Sequence, residues 1–308
     1  MNIAVTGGAG FIGSHIVEFL IKKGFSVTVI DNLHSGNKEN LNLVKDKIDF
    51  IQSDIRDLGS LKKAFKNIDG VFHEAALASV QESFSKPDEY HDVNVNGTEN
   101  IFKLAKEFKF KIVFASSSSV YGNLAEIPIK EDSPKRPINP YAQNKLDEEI
   151  IAEKYTKLGV DIIGLRYFNV FGERQSENYA GVIKKFLKNI QEGKPLIING
   201  DGLQVRDFVH VDDVVRANLT ALESNVKNAF INIGTGITTS VVELANQIIN
   251  SSGLSLKPIH SNTLEGDVRA SQADISLAKK LLNWEPKIKL KDWLNETVSK
   301  IKNKTDIL

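Results

Sequence analysis

The feature that most constrains this chain is a glycine-rich turn, "TGGAGFIGSH", at residues 6–15. The apolar run "NIAVTG" before it predicts a strand, and the apolar spacing of Ile12 and Ile16 after it predicts a helix. Gly7 permits the tight turn, Gly10 lets the backbone approach phosphate groups, and Gly13 lets the helix pack closely on the sheet. The pattern therefore predicts a strand–turn–helix unit that binds the diphosphate of a dinucleotide.

The second predicted strand, "SVTVID", ends at Asp31, where a dinucleotide-binding unit places an acidic residue. A carboxylate there accepts hydrogen bonds from the adenine ribose hydroxyls and repels a 2′-phosphate, so the sequence favours NAD over NADP. In "QSDIRD", Asp54 and Ile55 follow a further strand, and we expect them to bracket the adenine.

Strands and helices alternate along the first half of the chain. Runs rich in Val, Ile and Phe, such as "IDGVFHEAA" and "KFKIVFAS", are separated by helical segments, one of them from about residue 90 to 108. This order predicts a doubly wound, Rossmann-type α/β fold with a parallel sheet. A helix ending at Gly159 and a strand "DIIGLRYFNV" follow. We expect an NAD-binding domain over residues 1–168 and about 207–234, and a smaller C-terminal α/β substrate domain over about 169–206 and 235–308.

The composition argues against several classes of protein. Lysine plus arginine and aspartate plus glutamate number 39 each, so no excess charge indicates a nucleic acid or an anionic membrane as partner. There is no cysteine, and the six histidines are scattered, so we expect no metal site. The N-terminus lacks the pattern of a signal peptide and no apolar run is long enough to span a membrane, which predicts a cytoplasmic protein.

Four consecutive serines, residues 116–119, follow an apolar strand. Serine runs are common in linkers, but these end a predicted parallel strand at the edge where doubly wound folds bind ligands. Downstream, Tyr141 and Lys145 stand four residues apart, so a helix presents both on one face. A nearby ammonium and a cationic nicotinamide both favour the phenolate of a tyrosine, and a serine hydroxyl can bind the same reacting oxygen.

Seven motifs, taken in order, resemble those of one protein family. They are "TGGAGFIGSH", "FHEAA", "VNVNGT", "ASSSSVYG", "YAQNK", "LRYFNVFG" and "VRDFVHVDD". Together they resemble the extended short-chain dehydrogenase/reductase family, and within it the NAD-dependent nucleotide-sugar 4-epimerases. The resemblance runs from Met1 to about Trp293.

The resemblance implies roles for individual residues. The family's catalytic Ser or Thr stands four residues before the Tyr of "VYG", which is Ser117 here; Tyr141 becomes the base and Lys145 holds the nicotinamide ribose. The implied reaction removes the proton of the sugar 4-hydroxyl while a hydride passes from C4 to tightly held NAD, and the 4-keto sugar then turns over before the hydride returns. The expected cofactor contacts are Gly7, Gly10, Phe11, Ile12, Gly13, Asp31, Asn32, Asp54, Ile55, Ala75, Ala76, Asn94, Tyr141 and Lys145.

Ser118 and Ser119 separate the family's reactions. The 4,6-dehydratases that this chain resembles carry Asp and Glu at these positions, and the related decarboxylases also keep a Glu, so two serines favour epimerisation. For the substrate, the resemblance assigns Asn169 to the nucleotide sugar and Arg206 to the UDP diphosphate. An arginine beside Asp207 is also placed for a structural ion pair.

The sequence around the dipeptide "GD", residues 266 and 267, bears on the choice of sugar. Family members often have an arginine where this chain has Leu264, and Arg269 is the nearby residue that would replace it. A bulky tyrosine four residues after "GD" tends to exclude N-acetyl sugars, and this chain has Ser271 there. The segment "FGERQSENYAGVI" also resembles UDP-N-acetylglucosamine 4-epimerases. We therefore expect UDP-GlcNAc/UDP-GalNAc as substrates, together with UDP-glucose/UDP-galactose.

Other functions stay open at this point. UDP-glucuronate 4-epimerases can share a run like "ASSSSVYG", although no cation for the sugar carboxylate is evident in the sequence. A nucleotide-sugar dehydratase and a non-catalytic NAD-binding protein are further alternatives, and the presence of Ser117, Tyr141 and Lys145 argues against the latter. The resemblance also implies a homodimer that pairs the helices at about 90–108 and 141–158.

Overall fold

The computed structural model describes residues 1–175 and 181–303. The strands are β1 (Asn2–Thr6), β2 (Ser26–Asp31), β3 (Ile48–Gln52), β4 (Gly70–His73), β5 (Lys111–Ser117), β6 (Ile162–Tyr167), β7 (Asn169–Phe171), β8 (Ile197–Asn199), β9 (Val205–His210), β10 (Ala229–Ile233), β11 (Thr238–Ser240) and β12 (Ile259–Ser261). The α-helices are α1 (Phe11–Lys22), α2 (Leu58–Ala64), α3 (Val80–Ser85), α4 (Pro87–His91), α5 (Gly97–Phe108), α6 (Pro140–Lys157), α7 (Val182–Gln191), α8 (Val211–Glu223), α9 (Val241–Ser252), α10 (Ser276–Leu282) and α11 (Leu290–Lys302).

The central sheet has seven strands in the order β3-β2-β1-β4-β5-β6-β10, and all neighbours are parallel. The predicted doubly wound α/β fold is confirmed. The chain works outward from β1 to β3 and then returns to place β4 on the other side of β1. This reversal opens a crevice at the carboxyl ends of β1 and β4, where such folds bind ligands.

Helices cover both faces of this sheet and bury its apolar strands. On one face, Ile16 and Leu20 of α1 pack in a cluster with α8, α10 and the β-strand residue Val29. On the other face, Ile101 and Phe102 of α5 pack in a second cluster with α2 and α6. Burial on both sides explains why the strands are nearly continuous apolar runs.

The C-terminal region has its own sheets and core. Strands β7, β9 and β11 form a three-stranded sheet, and β8 pairs with β12. Helices α7, α9 and α11 supply most of a third apolar cluster. Strand β9 crosses the domain boundary expected near residue 207 and pairs entirely with β7 and β11. The division into two domains stays a prediction.

Two segments differ from their predicted form. The single strand predicted over "DIIGLRYFNV" is wrong, because Phe168 separates β6 from β7 and its N–H donates to the Ile233 carbonyl at 2.9 Å. The helix predicted from about residue 90 to 108 contains a π-helical segment, Asp92–Asn96, between α4 and α5. Such an insertion rotates the following side chains relative to a regular helix.

Across the described residues, no helix combines the length and the apolar character that crossing a membrane requires. The same residues include no group of three or more His, Asp or Glu side chains placed to hold a metal ion.

Candidate active site

The glycine-rich turn lies between β1 and α1 and leaves backbone donors at the crevice. Gly7 has a φ of +67°, and its N–H donates to the Ile30 carbonyl at 2.8 Å, which ties the turn to β2. Helix α1 begins after Gly10, which no side chain of the described residues caps, and no acidic residue stands in its first turn. The first N–H groups of α1 are therefore positioned for an anionic ligand such as a diphosphate.

Close packing explains the glycines of this turn. A Cβ added to Gly13 would lie 2.2 Å from the Gly7 carbonyl oxygen, and one added to Gly7 would lie 2.6 Å from the Ala75 nitrogen. Both contacts are with backbone, which cannot rotate away as a side chain can. The turn, α1 and the loop after β4 thus approach one another as the bound dinucleotide requires.

Asp31 ends β2 and is buried beside this turn. Its carboxylate accepts the N–H of Ala9 at 2.9 Å and the N–H of Leu33 at 2.7 Å. Burial raises the pKa of Asp31, while these two backbone hydrogen bonds lower it. Each carboxylate oxygen has two lone pairs, so both keep capacity to accept a ribose hydroxyl.

One cleft joins the glycine turn to the serine run. Thirteen of the residues predicted for cofactor or catalysis line it: Gly7, Gly10, Phe11, Ile12, Gly13, Asp31, Asn32, Ile55, Ala75, Ala76, Ser117, Tyr141 and Lys145. They come from separate parts of the chain and meet at the carboxyl edge of the sheet. A dinucleotide with its diphosphate at the N-terminus of α1 would run along this wall toward the serines.

Ser117, Tyr141 and Lys145 lie together at the reactive end. Ser117 is the last residue of β5; its Oγ accepts the N–H of Ser119 at 3.1 Å, and its hydroxyl also forms a hydrogen bond with Tyr141. Tyr141 begins α6, and Lys145 lies one turn later. The Lys145 Nζ donates to the Ala115 carbonyl at 2.9 Å and to Glu148 Oε2 at 3.0 Å.

Electrostatics at this end favour an ammonium beside a protonated phenol. Burial lowers the pKa of Lys145, but Glu148 and Tyr141 raise it, and the net direction is upward. Burial raises the pKa of Tyr141, which Lys145 and a hydrogen bond with Ser117 partly counteract. An additional positive charge is therefore needed for Tyr141 to act as a base near neutral pH.

The other serines of the run are not equivalent to Ser117. Ser116 points into the protein, where its hydroxyl donates to Glu149 Oε1 at 2.6 Å. The same carboxylate accepts two hydrogen bonds from Arg166, at 2.8 and 2.7 Å, and Arg166 also donates to the Tyr121 hydroxyl at 2.7 Å. This buried network fixes the end of β5 and so the position of Ser117.

Sequence reasoning missed a carboxyl group in the wall of the cleft. Glu74 follows β4 and accepts a hydrogen bond from the Tyr167 hydroxyl at 2.9 Å, and both residues line the cleft. Burial raises the pKa of Glu74 to about 8, although Tyr167 and Lys145 lower it. The sequence signal for Glu74 was its position directly after a parallel strand, beside "AA".

His73 is a packing residue. It is buried between the hydroxyls of Thr6 and Thr98, with ring nitrogen to oxygen distances of 2.6 and 2.8 Å.

Two predicted cofactor residues lie behind the cleft instead of lining it. The Asp54 carboxylate accepts hydrogen bonds from Arg56 and from Asn32 Nδ2, each at 2.9 Å, and these partners hold its pKa below the usual range. Asn94 is fully buried; its side chain accepts the Leu77 N–H at 2.8 Å and donates to the Leu77 carbonyl at 2.9 Å. Both residues therefore support the wall through neighbours that do line it.

The predicted substrate residues other than Ser117 do not line this cleft. Arg206 is buried and paired with Asp267, and Asp207 instead accepts hydrogen bonds from the backbone near residues 235, 236 and 273. Arg269 is exposed and donates to Asp201 at 2.7 Å. Asn169 is exposed on β7.

Ser271 is buried on the segment next to the cleft wall. Its N–H donates to the Val205 carbonyl at 3.1 Å. Phe168, which lines the cleft, packs in one cluster with Ala273, two residues beyond Ser271. In the motif "FGERQSENYAGVI", residues 176–180 lie outside the described residues.

Comparison with known proteins gives the family. The chain matches the NAD dependent epimerase/dehydratase family over residues 3–234. It is 37% identical over 320 residues to a UDP-glucuronate 4-epimerase of Thermodesulfobacterium geofontis, covering 99% of this chain and 97% of that protein.

Solved structures show the same fold. A Thermotoga maritima UDP-glucose 4-epimerase with UDP-glucose superposes with a TM-score of 0.94 at 38% identity, covering 98% of this chain and 99% of the other. A Methanobrevibacter ruminantium UDP-N-acetylglucosamine 4-epimerase in complex with UDP-N-acetylmuramic acid gives a TM-score of 0.93 at 38% identity, covering 99% of both chains.

The chain belongs to the NAD dependent epimerase/dehydratase family. Within that family it is an NAD-dependent enzyme whose relatives over the full chain include UDP-sugar 4-epimerases, together with a UDP-N-acetyl-alpha-D-glucosaminuronate decarboxylase and a dTDP-glucose 4,6-dehydratase. The resemblance inferred from the seven motifs, the Rossmann-type fold and the NAD cofactor are confirmed. The roles of individual site residues stay predictions.

Proposed function

We propose that this protein catalyses the reversible inversion of C4 in a UDP-hexose, using Ser117, Tyr141 and Lys145. The observation that carries the proposal is that these three side chains, on β5 and α6, line one cleft with the glycine turn and Asp31. A dinucleotide bound at the turn therefore extends to the three polar groups that the reaction needs.

The chain's own residues divide the work as follows. The glycine turn and Asp31 would hold NAD, which would supply a reversible hydride acceptor for C4 of the sugar. Tyr141 takes the proton of the 4-hydroxyl, and the Ser117 hydroxyl, which forms a hydrogen bond with Tyr141 in this structure, donates to the same oxygen. The Lys145 ammonium favours the phenolate of Tyr141. Inversion requires room in the cleft for the 4-keto sugar to turn its opposite face toward the cofactor site.

We propose UDP-GlcNAc/UDP-GalNAc as substrates, with UDP-glucose/UDP-galactose also converted. The support is the small, buried side chain of Ser271, on a segment adjoining the cleft residue Phe168. A tyrosine there would add a ring to this buried segment, and the family resemblance links a bulky residue at this position to the exclusion of N-acetyl sugars. Arg206 would bind the diphosphate by leaving Asp267, its present partner.

The test is to incubate the purified protein, without added NAD, with UDP-GlcNAc and separately with UDP-glucose, and to follow the C4 epimers by proton NMR. Conversion of both pairs is expected. Ser271→Tyr should suppress conversion of the acetylated pair selectively, and Ser271→Ala should not. Equal losses on both pairs would remove Ser271 as the determinant of sugar choice.

A matched pair of serine variants tests the catalytic assignment. Ser117→Ala should lower kcat by about a hundredfold or more, because it removes a hydrogen bond to the reacting oxygen. Ser116→Ala removes one of the three hydrogen bonds that Glu149 accepts; the two from Arg166 still hold the network, so kcat should stay within a few-fold of wild type. The reverse order would show that the wrong serine was assigned.

UDP-glucuronate is the second candidate substrate, and the similarity to the Thermodesulfobacterium geofontis enzyme favours it. Conversion of UDP-glucuronate with none of the neutral sugars would replace the substrate proposed above. We also propose a homodimer formed through α5 and α6, which light scattering would test.

A further inference from the structure

Two adjacent glutamates on α6 have different surroundings. Both Glu149 oxygens accept hydrogen bonds, from Ser116 and from Arg166, and the residue belongs to the network beneath β5. Glu148 is buried to the same degree, with 1% of its surface exposed. Its Oε2 contacts Lys145 Nζ at 3.0 Å, and its Oε1 has no hydrogen-bond partner among the described residues.

Burial of a carboxylate with one unpaired oxygen carries an unfavourable desolvation free energy, so such a group contributes little to the stability of a fold. The side-chain nitrogen of Asn144, one turn earlier on α6, also has no hydrogen-bond partner within residues 1–175 and 181–303. Glu148 therefore lacks the complete hydrogen bonding that identifies Glu149 as structural. Its strong interaction is with the ammonium of Lys145.

That interaction bears on Tyr141. Lys145 lowers the pKa of the Tyr141 phenol, and Glu148 raises it, so the carboxylate offsets part of the effect of the ammonium. Glu148 and the Ala115 carbonyl together take two of the three Nζ protons, which leaves one for the cleft. The Glu148 carboxylate thus fixes the orientation of the Lys145 ammonium and limits how far that ammonium lowers the pKa of the Tyr141 phenol.

We propose that Glu148 is a positioning residue that sets, through Lys145, the pH at which Tyr141 becomes a base. The role rests on the proposed function, in which Tyr141 takes the proton of the sugar hydroxyl. It assigns to Glu148 a task distinct from that of Glu149, although the two side chains are neighbours on one helix.

The surrounding charges are few and identifiable. Besides burial, the main influences on the pKa of Glu148 are Lys145, Glu149 and Asp147, all on α6. From the loop after β4, Glu74 raises the pKa of Lys145 when it is ionised. Burial raises the pKa of Glu148 to about 7, so the carboxylate is charged above neutral pH, where Tyr141 titrates.

The experiment titrates Tyr141 directly in the NAD-bound protein. The ultraviolet absorbance of phenolate is followed against pH in the protein and in its Tyr141→Phe variant, and the difference between the curves isolates Tyr141 from the other five of six tyrosines. Glu148→Gln keeps an acceptor for Lys145 but removes the charge. Its Tyr141 midpoint should fall by on the order of one pH unit.

Glu153→Gln is the matched control, because Glu153 is an exposed acid on the same helix. Its midpoint should equal that of the wild type. A midpoint in Glu148→Gln that also equals the wild type would overturn the proposal. If Glu148→Gln fails to fold, Glu148→Asp is the second variant, because it moves the carboxylate away from Lys145 by one methylene. Its Tyr141 midpoint should shift in the same direction by a smaller amount. No shift in Glu148→Asp would also overturn the proposal.

The titration needs no turnover, so it separates this inference from the proposed function. A wild-type protein that converts no UDP-hexose would refute the epimerase, whatever the midpoints. An active protein whose midpoints do not move would refute only the role of Glu148. In an active protein, the acid limb of the kcat profile should shift with the Tyr141 midpoint.

Discussion

The dinucleotide site is tested most directly by replacing glycine with alanine at one position in each of two helices. Gly13 lies in the first turn of α1, and Gly59 lies in the first turn of α2. Alanine is the better helix former, so Gly59→Ala, whose Cβ would meet only Asp57 Oδ1 at 3.4 Å, should stabilise the protein by about 0.5 kcal/mol. The same change at Gly13 should have the opposite sign.

The magnitude follows from the backbone contacts at Gly13. The added Cβ would lie 2.2 Å from the Gly7 oxygen, 2.8 Å from the Gly7 carbon and 2.9 Å from the Gly8 Cα. None of these atoms moves without opening the turn, so a cost near the upper end of overpacking, about 3 kcal/mol, is expected. The turn must then separate from α1, and the alignment of donors that hold the diphosphate is lost.

Two measurements check this. Urea unfolding of the cofactor-free variants, followed by the fluorescence of Trp284 and Trp293, should place them about 3.5 kcal/mol apart in the free energy of unfolding. Extraction of NAD from each purified protein should recover cofactor from Gly59→Ala and little from Gly13→Ala. A Gly13→Ala protein as stable as wild type, with its NAD retained, would refute the close approach of α1 to the turn.

Three further predictions concern the walls of the cleft. Asp31→Asn should weaken NAD binding and narrow the preference for NAD over NADP, because the negative charge facing the adenine ribose is lost; competition binding of the two cofactors measures this. Asn94→Ala leaves the backbone groups of Leu77 unpaired and should cost about 2 kcal/mol in urea unfolding, whereas an unchanged midpoint would contradict its supporting role. The pKa of Glu74, about 8 in the folded protein and 4.5 ordinarily, means that its contribution to stability is full below about pH 4.5 and lost as the pH rises through 8. In Glu74→Gln, the free energy of unfolding in urea should therefore fall less between pH 4.5 and 8 than in the wild type. An equal fall in both proteins would contradict the raised pKa of Glu74.

The sequence alone identified the parts of the site that local rules determine. A strand followed by closely spaced glycines and a helix has few other conformations, so the positions of Gly7, Gly10 and Gly13 followed from their spacing. Asp31 and Ser117 end parallel strands, and the carboxyl ends of such strands meet at one edge. Tyr141 and Lys145 needed only the helical period to share a face.

The remaining features depend on contacts between distant segments. Nothing near Asn94 in the chain indicates that the π-helical segment turns its amide toward Leu77, seventeen residues earlier. Arg206 has Asp207 beside it but pairs with Asp267, which the fold brings close. The split between β6 and β7 likewise depends on distant partners, because β6 pairs with β5 and β10 of the central sheet whereas β7 pairs with β9 of the three-stranded sheet.

Three carboxyl groups, Asp31 and Glu74 in the cleft wall and Glu148 beside Lys145, illustrate how burial assigns different tasks to one chemical group. Asp31 is held by two backbone N–H groups, which oppose the effect of burial and keep it suited to accept hydrogen bonds. Glu74 faces a tyrosine hydroxyl, and burial raises its pKa to about 8, so it stays protonated at neutral pH and adds no negative charge beside the diphosphate site. Glu148 contacts an ammonium and ionises near neutral pH. The electrostatic effect on the pKa of Tyr141 therefore depends on which acids the fold pairs with cations. The number of acids in the sequence does not reveal this effect.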